Sequence, residues 1–325
     1  MVLLLAALML AAPVHADYAD VPQTTWAYEI INRATEQKLV EGVGADCFGY
    51  GRGITVAEFS MMLCRLMDWE LQSPAKGSFA DNQDTQSWYY SAIETAYANG
   101  ALRKLGENVG VNGPLEREEM AAMTVRALGY ATLSGMVQDD CPFDDVTTNP
   151  GYIALAYHMG IMNGMTATQF SPTATATREQ AVAVLLRVYD RIHGAQVKTH
   201  RGAAPADAFT AAPLSDTSGR IPMAPRAPLS SVYEAAVKAG EGGAVALHTA
   251  PFNATTGKAI SQGELETMLA SASTRTYHSA RYGSSYLVHS ERGSSIVVWY
   301  ETDDDISEKL TLCRLMGVGS VYLTD

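Results

Sequence analysis

Three stretches of apolar residues at helical spacing occur in the first part of the chain. They follow Thr55, Glu116 and Thr177, which are separated by two equal intervals of 61 residues. In each stretch, apolar side chains recur three or four positions apart, which is typical of a helix that buries one face. The apolar positions are Phe59, Met62, Leu63 and Leu66; Met120, Met123, Ala127 and Leu128; and Ala181, Val184, Leu185 and Val188. This fixed period indicates a helical repeat architecture.

Each stretch also begins with residues that favour a helix start. The first position of each copy is a candidate N-cap, and the fourth position can reach back to it in a capping box. The three pairs are Thr55 with Glu58, Glu116 with Glu119, and Thr177 with Gln180. Upstream of these pairs, the sequence predicts first helices at about 26–37, 88–99 and 153–159, each ending near a glycine turn.

Arginine occupies the first helical position in two of the copies, as Arg117 and Arg178. A cation is disfavoured there by a few tenths to about 1 kcal/mol because the helix dipole is positive at its N-terminus. One interpretation is an anion-binding corner, in which backbone N–H groups and a planar guanidinium bind a carboxylate or phosphate. The other is that each arginine pairs with nearby carboxylates. The first copy has Val56 at this position, so we expect that corner to be weak or absent.

Two tryptophans, Trp26 and Trp88, open the first two predicted first helices. They either pack between repeats or form a wall on which a sugar ring stacks, because a flat aromatic ring suits the apolar face of a pyranose. The recurring Asp20, Asp81 and Asp145 are interpreted as turn or cap residues.

The combination of these motifs resembles the S-layer homology (SLH) family. Each copy has an aromatic-x-Asp start, and two have a first helix with tryptophan, a glycine turn and a second helix that opens as Thr-Arg-x-Glu or a variant of it. The starts are Tyr18-Ala19-Asp20, Phe79-Ala80-Asp81 and Phe143-Asp144-Asp145. The resemblance covers roughly residues 17–193. It implies repeats at 17–75, 76–138 and 139–193, and a fold class of an all-α triple-repeat module with pseudo-threefold arrangement plus a small C-terminal α/β region.

The resemblance also implies a function. SLH modules hold exported proteins non-covalently on the bacterial cell wall, and they bind an acidic, often pyruvylated, secondary cell-wall polysaccharide or another peptidoglycan-linked polymer. The arginine of the Thr-Arg-x-Glu motif is a main ligand in that family, which implies a role for Arg117 and Arg178. Trp26 and Trp88 complete the expected polysaccharide site. The sequence departs from the family pattern at Val56, Gln180 and Thr148.

The first residues predict export. Residues 2–12 are apolar but too short to span a bilayer as a helix, and Pro13-Val14-His15-Ala16 resembles a cleavage site, so we expect a signal peptide at 1–16. No other stretch approaches a membrane span. The expected location is therefore the cell wall or cell surface.

The charge distribution bears on the partner. The chain has a formal net charge of −12, and residues 17–193 hold 12 Lys and Arg against 22 Asp and Glu. Nucleic-acid binding needs a basic surface, so no nucleic-acid partner is expected, and binding of an acidic glycan has to be local. Cys47, Cys64, Cys141 and Cys313 fit no metal spacing. We expect no metal or other cofactor and buried free thiols, with a Cys47–Cys64 pair as the alternative.

The remaining sequence is of a different kind. Residues 194–229 are rich in proline and alanine and predict a linker. Residues 230–325 alternate between strand and helix patterns, with strands at 244–248, 285–289, 295–300 and 318–323 and helices at 263–270 and 304–316. The acidic run Asp303-Asp304-Asp305 is interpreted as a helix N-terminus.

The end of the chain, from Ile296 to Val321, resembles the closing strand, helix and strand of a family-18 chitinase-like barrel. A full barrel needs at least about 200 residues, and the catalytic D-x-x-D-x-D-x-E string of that family is absent. We therefore expect no enzymatic activity. The alternatives are a wall-glycan hydrolase remnant or minimal glycosidase-like protein docked by the repeats, and a structural array component that self-associates through exposed edge strands.

Overall fold

A computed structural model of the chain describes residues 18–214 and 225–325. The predicted signal peptide at 1–16 lies outside the described residues, as does part of the predicted linker, 215–224. The chain forms two compact units. Of the described residues, 18–127 and 173–187 belong to the first unit, and 128–172, 188–214 and 225–325 belong to the second.

The described residues form ten α-helices and nine strands. The helices are α1 (Tyr28–Glu36), α2 (Val56–Leu66), α3 (Tyr90–Ala98), α4 (Arg117–Ala127), α5 (Ala131–Ser134), α6 (Pro150–His158), α7 (Arg178–His193), α8 (Leu229–Ala239), α9 (Gln262–Leu269) and α10 (Asp303–Leu315). The strands are β1 (Lys198–Arg201), β2 (Phe209–Thr210), β3 (Ala244–His248), β4 (Phe252–Asn253), β5 (Lys258–Ala259), β6 (Thr274–Ser279), β7 (Ser284–Glu291), β8 (Ser294–Tyr300) and β9 (Ser320–Thr324).

The predicted second helices of the repeats are α2, α4 and α7, and each begins at the residue after the first motif position. Thr55 forms a complete capping box with Glu58, because its hydroxyl accepts the Glu58 N–H and the Glu58 carboxylate accepts the Thr55 N–H. Thr177 and Gln180 exchange the same two bonds, at 3.4 and 3.2 Å. The capping boxes of the first and third copies are therefore confirmed.

The second unit contains two sheets. In the first sheet, all pairs are parallel and the strand order is β1-β9-β3-β2. In the second sheet, all pairs are antiparallel and the order is β5-β4-β8-β7-β6. Helix α8 packs on β2 and β3 and against α10. Helix α9 covers one face of the antiparallel sheet, where its Leu265 joins Leu287 and Val298 in a buried cluster.

The predicted fold class, an all-α triple-repeat module plus a small α/β region, is wrong. The described residues form a mixed α/β chain, with ten helices and two sheets. Only four residues separate the end of α7 from the start of β1. Strand β1 pairs with β9, and β2 pairs with β3. Strands β1 and β2 both lie in the segment for which we predicted a linker. Extended backbone also occurs between the repeats, where Gly53 bridges Thr177, Thr55 bridges Pro114 and Glu116 bridges Thr175.

All four cysteines are free. Cys64 and Cys313 are buried as expected, and burial raises the pKa of both thiols to about 12. The expectation of burial is wrong for Cys141, which is only partly buried, and for Cys47, which is exposed and donates an S–H bond to the Asp20 carboxylate at 3.3 Å. The alternative Cys47–Cys64 disulfide is not formed.

Across residues 18–214 and 225–325, every helix is too short or too polar to cross a lipid bilayer.

Candidate functional site

The starts of the three second helices are joined by a closed ring of backbone hydrogen bonds. The ring residues are Ile54, Leu115 and Ala176, again at intervals of 61 residues. The N–H of Ile54 donates to the carbonyl of Ala176, that of Leu115 donates to Ile54, and that of Ala176 donates to Leu115, each at 2.9 Å. All three side chains are buried. This ring holds residues from all three repeats around one point.

A second ring of bonds follows two residues later. The N–H of Arg178 donates to the Arg52 carbonyl at 3.0 Å, and that of Arg117 donates to Ala174 at 3.0 Å. The Val56 N–H donates to the Gly113 carbonyl at 3.3 Å. The first N–H of a helix has no partner inside the helix, so these bonds satisfy it. They also fix the backbone from which the two motif arginines project.

A cleft of about 490 Å³ lies in the first unit beside these rings. Its polar and aromatic lining comes from all three repeats: Glu41, Arg52, Glu58 and Arg65 from the first, Trp88 from the second and Arg178 from the third. The rings explain how residues so distant in sequence meet in one cleft.

Arg178 forms the buried wall of this cleft, with 4% of its surface exposed. Its Nη1 lies 3.3 Å from the Glu58 carboxylate, and its Nη2 donates to the Glu41 carbonyl at 2.6 Å. The guanidinium carbon lies 5.1 Å from the centre of the Phe48 ring, within cation–π range. Burial lowers the pKa of Arg178, and the charge of Glu58 opposes that shift. The Nε of Arg178 is buried and makes no hydrogen bond with the described residues.

Glu58 links the helix cap to the charges of the cleft. Its carboxylate accepts the Thr55 N–H and a bidentate pair of bonds from Arg52, and it faces Arg178. Burial alone would raise the pKa of Glu58, but the Arg52 bonds, the Thr55 N–H and the Arg178 charge together lower it. Glu58 therefore stays ionised at neutral pH.

The charge of the cleft is opposite to that of the chain. Arg65 pairs with Glu41 at 2.9 Å at the more exposed side, where 76% of the Glu41 side chain is accessible. The cleft thus holds three guanidinium groups against two carboxylates. The half-exposed Arg52 and Arg65 side chains give a local positive excess within a chain of net charge −12.

Both tryptophans singled out from the sequence are exposed, Trp26 by 56% and Trp88 by 60%. The alternative that they pack in the core between repeats is therefore wrong. Trp88 lines the cleft and meets Tyr89 edge to face at 5.5 Å. Trp26 is absent from the lining of this cleft.

The structure brings together two of the four predicted site residues, Arg178 and Trp88. Arg117 is 6% exposed and does not line this cleft, and its ligand role remains a prediction, as does that of Trp26. Sequence reasoning missed Arg52, which follows no repeat column, and it also missed Arg65, although Arg126 and Arg187 recur in the same column at intervals of 61 residues. Glu58 was identified only as a capping residue.

The recurring aspartates tie the loop before each second helix. Asp20 accepts the N–H groups of Phe48, Gly49 and Tyr50 at 2.7–2.9 Å. Asp81 accepts three bonds from residues 109–111, and Asp145 accepts two from residues 170–171. Burial would raise the pKa of Asp20, but these bonds lower it to about 2. The interpretation as turn residues is confirmed.

A second charged cluster lies in the C-terminal region. Lys309, which is 1% exposed, donates to Glu301 at 2.5 Å and to the Ser284 hydroxyl at 2.9 Å. Ser284 also donates to Glu301 at 2.9 Å, and its own exposure is 0%. Burial lowers the pKa of Lys309 and raises that of Glu301. Because these groups are sealed from solvent and satisfy one another, they are suited to holding β8 against α10.

The acidic run at the start of α10 has the structural role expected for it. Thr302 and Asp305 form a complete capping box. Asp305 is 2% exposed and also contacts the ring of His278 at 3.0 Å. The interpretation as a helix N-terminus is confirmed.

In a comparison with known protein families, residues 142–182 match the S-layer homology domain. An amylopullulanase of Thermoanaerobacterium thermosulfurigenes is 30% identical over 177 residues, covering 51% of this chain and 9% of the relative. An S-layer protein of Bacillus thuringiensis subsp. finitimus is 28% identical over 182 residues, covering 55% and 22%. The S-layer protein sap of Bacillus anthracis is 28% identical over 172 residues, covering 52% and 21%.

The matched part of the chain thus covers between 9% and 22% of the length of these relatives. The similarity extends over only about half of this chain, and the relatives include both S-layer proteins and an enzyme. The shared element is therefore not tied to one activity. This chain carries an S-layer homology domain at residues 142–182 and is related to S-layer proteins.

Proposed function

We propose that the chain attaches to the bacterial cell surface by binding an acidic secondary cell-wall polysaccharide in the cleft around Arg178. The observation that carries this proposal is the joint lining of one cleft by three arginines and the exposed Trp88. The S-layer homology domain and the S-layer relatives support surface attachment. Export of the chain to reach the wall is part of the same proposal.

Each part of the cleft suits a part of such a ligand. Trp88 offers an open ring face for the apolar side of a pyranose. Arg52 and Arg65 present planar donors at the exposed side, where they can bind a carboxylate or a ketal-linked pyruvate. The local positive excess explains how an acidic chain can bind an acidic polymer, and we expect added salt to weaken the binding.

The cleft variants that test this site are Arg52→Ala and Trp88→Ala. Both side chains are at least partly exposed, so the fold should be retained, which circular dichroism checks. Each variant should lose about tenfold or more in affinity for purified wall polysaccharide, because each removes one charge-assisted or stacking contact of about 1–3 kcal/mol. The measurement is isothermal titration calorimetry with the full chain.

Matched controls distinguish the cleft from general surface effects. Arg103→Ala removes an exposed arginine outside the cleft, and Leu105→Ala removes an apolar side chain that is 84% exposed. Both should bind as the parent chain does. Equal binding by the parent, Arg52→Ala and Trp88→Ala would show that the polysaccharide does not bind in the cleft.

A glycan hydrolase docked by the repeats is the alternative, motivated by the chitinase-like end of the chain. A truncated 230–325 fragment would lack β1 and β2, which belong to the parallel sheet. The test therefore uses the full chain, with release of reducing ends from wall glycans as the readout. Turnover by the parent chain would favour the hydrolase.

A further inference from the structure

The antiparallel sheet ends on one side in an open strand. The outer edge of β6 pairs with no other strand of the residues that the structure describes. Its six residues are exposed in the middle and half-buried only at the two ends. The other sheet edges are shorter, with four residues in β1 and two each in β2 and β5. Strand β6 is thus the longest open edge in this part of the chain.

The register of β6 on β7 decides which backbone groups point outward. The Ser290 N–H donates to the Ser273 carbonyl at 3.0 Å, just before β6, where the two residues are opposite each other. Hydrogen-bonded pairs alternate along an antiparallel ladder, so Arg275, Tyr277 and Ser279 bond inward to β7. Thr276 and His278 therefore direct both backbone groups outward. Thr274 directs only its carbonyl outward, because its N–H donates to Ser271 at 3.1 Å.

An aromatic row crosses the sheet and ends at this edge. Trp299 on β8 lies 4.8 Å from Tyr286 on β7, measured between ring centres, and Tyr286 stacks on Tyr277 at 5.1 Å. Tyr277 is the outermost ring and is 43% exposed. One side of its ring is covered by Tyr286, and the row stops where the sheet stops.

We propose that two copies of this chain associate through β6, paired antiparallel about a twofold axis. The outward donors and acceptors of an antiparallel edge are complementary to those of its own copy. The twofold axis can lie at Thr276 or at Tyr277, and in both registers four outward bonds form between the copies. Tyr277 then faces Arg275 or Tyr277 of the second copy, and cross-strand aromatic and cation–π pairs of this kind are stabilising.

Charge favours a second copy at this edge. The chain has a net charge of −12, so most of its surface repels another copy. Strand β6 contains Arg275 and His278 and no carboxylate. In both registers, Arg275 faces an uncharged side chain of the second copy rather than Arg275 of the second copy. The edge thus provides a contact between copies that avoids repulsion between like charges placed directly opposite each other.

The first test is Thr276→Pro in the full chain, with mass measured by sedimentation equilibrium over a concentration series. Proline removes only an outward N–H at this position, and edge strands tolerate such a proline. The parent chain should show a concentration-dependent dimer, and Thr276→Pro should be monomeric. The matched control is Ala272→Pro, at the second position of the Ser271–Thr274 turn, where proline is favoured. That variant should dimerise as the parent does.

A cross-linking test covers the case in which Thr276→Pro does not fold. Thr276→Cys in a background of Cys47→Ser and Cys141→Ser should give a covalent dimer with a short bis-maleimide, because both registers place the two Thr276 positions close together. Thr256→Cys, in the exposed turn next to β5, is the control and should stay monomeric. A monomeric parent chain, or a dimer that survives Thr276→Pro and gives no Thr276→Cys cross-link, would overturn the proposal.

Discussion

Arg178 combines the two interpretations that its position in the sequence left open. It pairs with a carboxylate, Glu58, and it also lines a cleft with a positive excess. The spacing of the motif predicted the helix start and the arginine. It could not predict the partner, because Glu58 lies in the first repeat and is brought close only by the rings of backbone bonds.

Trp88 and Arg52 illustrate what residue-level reasoning can and cannot find. Trp88 was singled out because it opens a predicted helix, and its exposure excludes packing in the core, while its stacking role stays a prediction. Arg52 belongs to no repeated column, since Gly113 and Ala174 occupy the equivalent positions. Periodicity therefore gives no signal for Arg52, although its proximity to Glu58, six residues later, was visible in the sequence.

The Asp20 carboxylate gives a pH-dependent prediction. Its pKa in the folded chain is about 2, below the ordinary 3.8, so its stabilising effect is present above pH 3.8 and is lost as the pH falls through about 2. We expect Asp20→Asn to cost about 1 kcal/mol at neutral pH, allowing for solvent screening of a partly exposed group. Urea denaturation at a series of pH values measures the difference.

The same series separates this effect from general charge loss. The difference between parent and Asp20→Asn should shrink as the pH falls towards 2. The control Asp46→Asn removes an exposed carboxylate on the same loop and should change stability by less than about 0.5 kcal/mol. A cost for Asp20→Asn that does not vary with pH would show that the carboxylate charge is not involved.

At the scale of elements, long amphipathic helices and apolar strands were predictable. Strand β3 matches its predicted range, and α9 and α10 each begin one residue earlier than predicted. The elements missed are the four-residue α5, the helix α8, which follows the proline-rich segment, and strands whose residues carry little apolar signal. Strand β6 reads Thr-Arg-Thr-Tyr-His-Ser, and β4 and β5 have two residues each. Such strands exist because their neighbours provide hydrogen-bond partners.

The buried ring at the helix starts gives a prediction at this scale. Ile54 is fully buried where the three repeats meet. Ile54→Ala should cost about 2–5 kcal/mol through lost burial and a residual cavity. Val43→Ala, at a side chain that is 49% exposed, is the control and should be near neutral. Chemical denaturation followed by far-ultraviolet circular dichroism measures both, and near-equal stabilities would contradict a central role for the ring.

At the scale of the whole molecule, the overall charge of the chain and the local charge of the cleft have opposite signs. A net charge of −12 makes most of the surface repel other copies, while the cleft has a local excess of guanidinium groups, on which the proposed binding of an acidic polymer rests. Known relatives match about half of the chain. The mixed α/β fold of the second unit was not predicted as a whole, because β1 and β2 come from a segment without strand periodicity.

Co-sedimentation of the full chain with purified cell-wall sacculi, before and after chemical removal of the secondary polysaccharide, tests the proposed attachment most directly. We expect the parent chain to pellet with untreated sacculi and to remain in the supernatant after the polymer is removed. The Arg52→Ala variant should pellet only weakly with untreated sacculi. Equal pelleting with both preparations, or none with either, would contradict attachment through an acidic wall polysaccharide.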